Sequence, residues 1–565
     1  MELTKKKELI ACSLGKTEPD LVLKNCTIAD VFTETFYGGD IAVKGGIIAG
    51  IGSYSAANET DLSGKVVAPG FIDAHMHLES SMTAPSILAP VLLARGTTSV
   101  IADPHEIANV CGTDGVRWLM RDSAKTPLDV FFALPSCVPL NRSDHNGAVF
   151  GLSDMKRLRF SPQVSGLGEV MNAEAVIDGN EDLLKKIEMM EHKTIDGHAP
   201  GFMGKRLQAY RLAGVQTDHE CSSWAEALER LRAGLIVQVR EGSAAKNETE
   251  ILSGAIRSGV SMDRFVFCTD DVHLDDAVRN GHIDRNIRMA IALGIEPVKA
   301  IKMTTLNTAR AYGFHDRGAV APGCRADLVI LDSLENVSVC EVYKDGVPLE
   351  NMPVKFRRTR ASNNLTHSVH IPDLPKDCLK MKACENFPVI GIVPGQLVTE
   401  KRMLPLPAKE GYFTPADDIL KIAVIQRHDG SGRIGLGAVK GFGIKNGAAA
   451  STVGHDAHNL IVIGDNDEDM LAAVEELKSC GGGYTLVRGR KVLKTVILNI
   501  AGLFTNDCKI DMTNELKEMS SLAHQMGIPQ NIDVFQNLSF LSLPVIPFLR
   551  ITDSGVFDVQ AGKFI

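Results

Sequence analysis

The chain has 565 residues, beyond the roughly 250–300 at which one hydrophobic core stops growing, so more than one domain is expected. Its 44% hydrophobic and 23% charged residues are ordinary for a globular protein, and a net charge of −9 (60 basic against 69 acidic residues) argues against a general nucleic-acid binder. No run of about 18 apolar residues offers a membrane span, and no apolar stretch of signal-peptide length follows Lys5–Lys7, so a cytoplasmic protein with no membrane partner is expected.

Leu21–Leu23, Cys26–Val31, Ile41–Val43 and Ile47–Ile51 are β-rich runs, punctuated by turns at Gly38–Asp40 and Gly45-Gly46. Lys65–Asp73 reads as one buried strand entering His75-Met76-His77. From there to about residue 314, short apolar strands alternate with helical periodicity. The strands are Thr98–Ala102, Val130–Ala133, Val164–Gly168, Thr194–Asp196, Val215–Thr217, Ile236–Val239 and Phe265–Thr269; helices include Asp182–Glu191, Trp224–Leu231 and Asn286–Leu293. The class is α/β with a parallel sheet, and eight such units suit a (β/α)8 TIM-like barrel, although alternation alone leaves an open doubly wound sheet possible. Gly318–Leu331 and Val337–Tyr343 resemble the opening strands in character. The expected division is therefore a small β-sandwich domain from both flanks (1–68 and 315–360), a barrel over 69–314, a linker over 353–380, and a C-terminal α/β domain over 380–565. The last contains strands Val389–Val393, Ile422–Gln426 and Leu460–Gly464 and a helix at Glu468–Cys480.

Twelve cysteines stand singly, with no C-x-x-C, which gives neither a zinc ribbon nor a disulfide framework; Cys268 reads as a core residue. His75 and His77 are two residues apart on a strand and so face one way, at the C-terminal mouth where barrel active sites lie. Glu169, His198, His219 and Asp270 each follow a predicted strand. Histidine and carboxylate without cysteine favour manganese, iron or zinc over soft-metal chemistry.

PGFIDAHMHLESSM (69–82) resembles the first-strand signature of the amidohydrolase superfamily, and within it the bacterial adenine deaminase family. Further matches are ADPHEIANV (102–110), LPSCVP (134–139), GLGEVM (166–171), DGHAPG (196–201), TDHE (217–220), REGS (240–243), FCTDD (267–271) and VKGFGIKNGAAASTVGHDAHN (439–459). The resemblance covers nearly the whole chain and makes 380–565 a domain particular to that family. It implies a binuclear divalent metal centre, Mn2+ favoured with Fe2+ or Zn2+ compatible, on His75, His77, Glu169, His198, His219 and Asp270. A glutamate stands at the fourth strand where dihydroorotase and hydantoinase carry a carbamylated lysine, which counts against those activities.

The implied reaction is adenine plus water to hypoxanthine plus ammonia, driven by a metal-activated hydroxide. Asp270 is expected to shuttle a proton from water to the leaving amine, the alternative being a ligand role alone, with Glu169 the other catalytic carboxylate. Candidates for purine recognition are Asp103, His105, Glu106, Glu220, Arg240, Glu241, Asp271 and His273, each equally able to support a ligand from behind. His455-Asp456-Ala457-His458-Asn459 reads as a polar loop or interface, or else as a second metal site or lid. A homo-oligomer, a dimer first, is expected on class grounds. The rivals are N-acetylglucosamine-6-phosphate deacetylase, which also pairs H-x-H with a fourth-strand glutamate, and a non-catalytic scaffold. Nucleic-acid deaminases need P-C-x-x-C, and zinc proteases H-E-x-x-H; neither is present.

Overall fold

The computed structural model describes residues 2–140, 145–243, 245–352, 358–394, 396 and 398–565. Eight parallel strands form the central body: Phe71–Met76, Thr97–Ala102, Asp129–Leu134, Val164–Val170, Thr194–Gly197, Thr217–Asp218, Ile236–Arg240 and Phe265–Cys268. The first five pair in sequence order and the last three likewise. Two seams close the ring. Gln216 N–H donates to the Ile195 carbonyl at 2.9 Å, and Asp270 N–H donates to the His75 carbonyl at 3.0 Å while His77 N–H donates to the Asp270 carbonyl at 2.9 Å. The (β/α)8 expectation holds, and the open-sheet alternative falls. Every residue of Phe71–Met76 and Thr97–Ala102 is buried, as expected of strands covered on both faces.

The run expected as one strand, Lys65–Asp73, is two: Val66–Pro69 and Phe71–Met76. They belong to different sheets and meet at Gly70. A Cβ there would lie 2.1 Å from Thr98 Oγ1, so only glycine passes. Val66–Pro69 joins an eight-stranded sheet with the other opening strands and with Leu328–Ser333, Ser338–Lys344 and Val347–Pro348 from beyond the barrel. That sheet curls so that Ile47 bridges Arg325, enclosing a core of Leu23, Ile28, Ile41, Val43, Leu328 and Ile330. The fourth barrel strand runs on through Glu169 rather than ending before it, and the sixth starts two residues later and ends one later than expected.

A second eight-stranded sheet follows, ordered 399–404, 387–392, 434–440, 419–425, 460–464, 448–451, 483–488, 491–497, with the helix Asp467–Cys480 packed on it. Part of the expected linker, Pro353–Arg357, lies outside the described residues, while Ile371 and Leu379 are buried in the core of this sheet. The C-terminal domain sits on the barrel. Thr83 bridges Thr505, the rings of Trp118 and Phe504 lie 5.9 Å apart, and one hydrophobic core runs through both bodies. Among the described residues, no helix is long and apolar enough to cross a membrane.

Candidate metal centre at the barrel mouth

The first barrel strand turns both its terminal imidazoles inward, His75 Nε2 and His77 Nε2 lying 3.3 Å apart. His77 Nδ1 stands 3.1 Å from the Asp103 carbonyl oxygen. That acceptor fixes the proton on Nδ1 and leaves the Nε2 lone pair directed into the cluster. Asp270 Oδ1 approaches His77 Nε2 at 3.1 Å and His75 Nε2 at 3.6 Å. Glu169 divides its two oxygens: Oε1 is 3.3 Å from His77 Nε2, and Oε2 is 2.6 Å from His198 Nδ1 and 3.2 Å from His219 Nε2. The His75 and His219 rings stack at 4.3 Å. All six expected ligand positions thus meet at one end of the barrel.

This donor set fits divalent cations. His219 is buried, and among the described residues neither of its ring nitrogens is hydrogen-bonded, nor is His75 Nδ1. Polar atoms left so in a protein interior lose solvation unless something else binds them. Burial raises the Glu169 carboxyl, but the charge of His198 and its hydrogen bond, with the His219 and His77 imidazoles close by, outweigh it and hold it well below the usual carboxylate range. Three combinations of these residues (His75, His219 and Asp270; His75, His77 and Glu169; Glu169, His198 and His219) each bring three donor atoms within 4.8 Å of one another. Asp270 itself has φ 58°, a left-handed conformation uncommon for a residue with a side chain, imposed by its two backbone bonds to the first strand.

Asp270 Oδ2 is engaged: it accepts Arg240 Nη1 at 2.8 Å, and Arg240 also grips Glu220. Glu220 Oε1 in turn lies 3.4 Å from His219 Nε2 and 3.6 Å from His198 Nδ1. Arg240 and Glu220 therefore brace the ligands. Asp103 does the same, its Oδ1 accepting the His105 N–H at 3.1 Å and its Oδ2 the Glu169 N–H at 2.8 Å. Glu241 is drawn away into an ion pair with Arg285 at 2.9 Å. Asp271, held by the Ser80 hydroxyl, and His273 line a cavity beside the cluster. His105 bridges two groups: Nδ1 lies 3.4 Å from Glu169 Oε1 and Nε2 lies 3.4 Å from Glu106 Oε1.

One residue at the mouth was not foreseen, and one loop takes a place that the sequence left among several. Glu79 is buried at the cavity with Oε1 accepting the Ile107 N–H at 3.1 Å and Oε2 without a partner; burial, then Glu106, pushes its carboxyl up to about 7. Its only signal was its place two residues after His77. The His455–Asn459 loop reaches the barrel mouth: His455 Nδ1 and His458 Nε2 each bond a different oxygen of Glu106.

Residues 66–349 match the Amidohydrolase family and residues 396–563 the Adenine deaminase C-terminal domain. A protein named adenine deaminase from Desulfitobacterium hafniense is 44% identical over 99% of this chain and 98% of its own. One of the same name from Clostridium acetobutylicum is 43% identical over 99% of each. The chain belongs to the adenine deaminase family of amidohydrolases. A relative named adenine deaminase 2 from Carboxydothermus hydrogenoformans, 42% identical over 98% of both chains, shares the same full-length match. Family membership gives Glu169 at the fourth strand and the C-terminal loop at the mouth a common setting: a hydrolase of the C–N bond whose cavity is roofed by a second domain.

Proposed function

We propose that the protein deaminates adenine, consuming water and releasing hypoxanthine and ammonia. The observation that carries the reading is the splitting of Glu169 between two sets of donors, His75, His77 and Asp270 on one side and His198 and His219 on the other. That arrangement supports a pair of divalent cations sharing one carboxylate. Manganese is the proposed ion, with iron and zinc compatible with the same imidazole and carboxylate donors. When bound, such cations acidify water and so provide a nucleophile at neutral pH.

The chain's own groups do the rest. Asp270 takes the water proton at Oδ1, because Oδ2 is held by Arg240, and returns it to the exocyclic amine as the C6–N bond breaks. Arg240 fixes the carboxylate's angle and Glu220 balances its charge. The cavity beside the cluster is walled by Glu79, Glu106, Asp271 and histidines on its polar side and by Leu503 and Phe540 on its apolar side, which suits a flat neutral heterocycle. That wall of carboxylates disfavours a sugar phosphate, and with it the N-acetylglucosamine-6-phosphate deacetylase reading.

The test is a substrate panel with manganese-loaded protein. Loss of adenine absorbance with one ammonia per adenine is the expected result. Acetate from the sugar phosphate without ammonia from adenine would overturn the proposal.

A further inference from the structure

We propose that His455, carried by the C-terminal domain, contacts one of the purine's ring nitrogens, N3 or N7, and that His458 and Arg427 are positioning residues holding that contact in place. The inference rests on the adenine reading above and deepens it. It begins from the loop connecting the antiparallel strands Ala448–Ser451 and Leu460–Gly464. Within it His458 adopts φ 50°, and its carbonyl accepts Arg427 Nε. Arg427 is fully buried, with no carboxylate paired to it among the described residues. It donates instead to the carbonyls of Ser368 at 3.0 Å and Ala501 at 2.9 Å, tying the loop to the segment ahead of the domain and to the turn against the barrel. His458 Nδ1 accepts the Gly454 N–H at 3.2 Å, which puts its proton on Nε2, the atom that donates to Glu106.

Glu106 is thereby fixed between two imidazoles from another domain, and both its oxygens are taken. It is left poorly placed for the purine-contact role expected of it. His455 inherits that role. Its Nδ1 is committed to Glu106, its ring stacks on Phe540 at 4.6 Å, and the ring borders the cavity; its Nε2, at the opposite corner, makes no hydrogen bond among the described residues. Burial lowers the imidazole and Glu106 more than restores it, to about 9, so Nε2 carries a proton at neutral pH. A donor on a ring that borders the cavity matches a purine ring nitrogen, which is an acceptor.

The experiment is a cycle between the residue and the ligand atom. kcat/KM for adenine and inhibition constants for 3-deazaadenine and 7-deazaadenine are measured in the wild type, His455→Ala and His455→Gln, together with melting temperature and bound metal. The expected result is a ten- to hundredfold fall in adenine kcat/KM for His455→Ala, mainly in KM, as for loss of a charged hydrogen bond. Discrimination against one deaza analogue should collapse in that variant and stay intact for the other. His455→Gln, which keeps a donor, should recover part of the loss and guards against a folding defect. Equal discrimination in wild type and variants would overturn the proposal. So would loss of a metal equivalent on substitution, which would make Glu106, His455 and His458 a cation site. Wild-type protein that discriminates but releases no ammonia from adenine would overturn the substrate reading separately.

Discussion

The barrel mouth and the His455–Asn459 loop both bury histidines beside a glutamate, but in opposite states of satisfaction. At the mouth, among the described residues, His219 has no hydrogen bond at either nitrogen and His75 none at Nδ1. In the loop, His458 is bonded at both ring nitrogens, and both oxygens of Glu106 are used. Imidazoles left without partners in a protein interior are stable only if a cation takes their lone pairs. An imidazole bonded at both nitrogens, as His458 is, makes a rigid joint between domains. On the readings proposed here the same residue types serve a metal centre in one place and a substrate wall in the other, and the pattern of hydrogen bonds separates them.

Substitutions should break that contrast in order of size. Glu169→Ala removes the carboxylate shared by both donor sets, so activity should fall by about ten-thousandfold or more and bound metal should drop by elemental analysis. Retention of full metal would mean that the donors hold cations without it. Asp270→Asn keeps the backbone seam and one oxygen but removes the base. It should cost about a thousandfold in kcat, within the usual span for general acid–base groups, with most metal retained. Near-normal turnover would reduce Asp270 to a ligand. Arg427→Met acts only on the loop. It leaves carbonyls of Ser368, His458 and Ala501 without their donor, so the melting temperature should fall and kcat/KM drop about tenfold through KM, with metal content unchanged. Parallel loss of metal in that variant would erase the distinction between the two regions.

The barrel was legible because its signal is local. Buried strands alternate with amphipathic helices, and inward-pointing ligands at strand ends repeat that period. The break at Gly70 was not legible, because Val66–Pro69 and Phe71–Met76 form one apolar run whose division depends on Thr98 approaching from the next strand. The six residues that converge at the mouth could be named from their places after strands, helped by the family resemblance. Their braces could not all be sorted: Asp103, Glu220 and Arg240 read equally as substrate contacts until the hydrogen bonds of Asp103 to Glu169 and of Arg240 to Asp270, and the ion pair of Glu220 with Arg240, are seen. Glu106 meets His455 and His458 across more than 340 residues, and no periodicity in either segment encodes that docking.

The account turns on whether the two sets of donors around Glu169 hold two cations that together support deamination. Metal-stripped protein should be titrated with manganese while bound metal and ammonia release from adenine are followed on the same samples. The account predicts no turnover without metal and a rise that levels off at two equivalents per chain. Full activity at one equivalent, or deamination by the stripped protein, would contradict it.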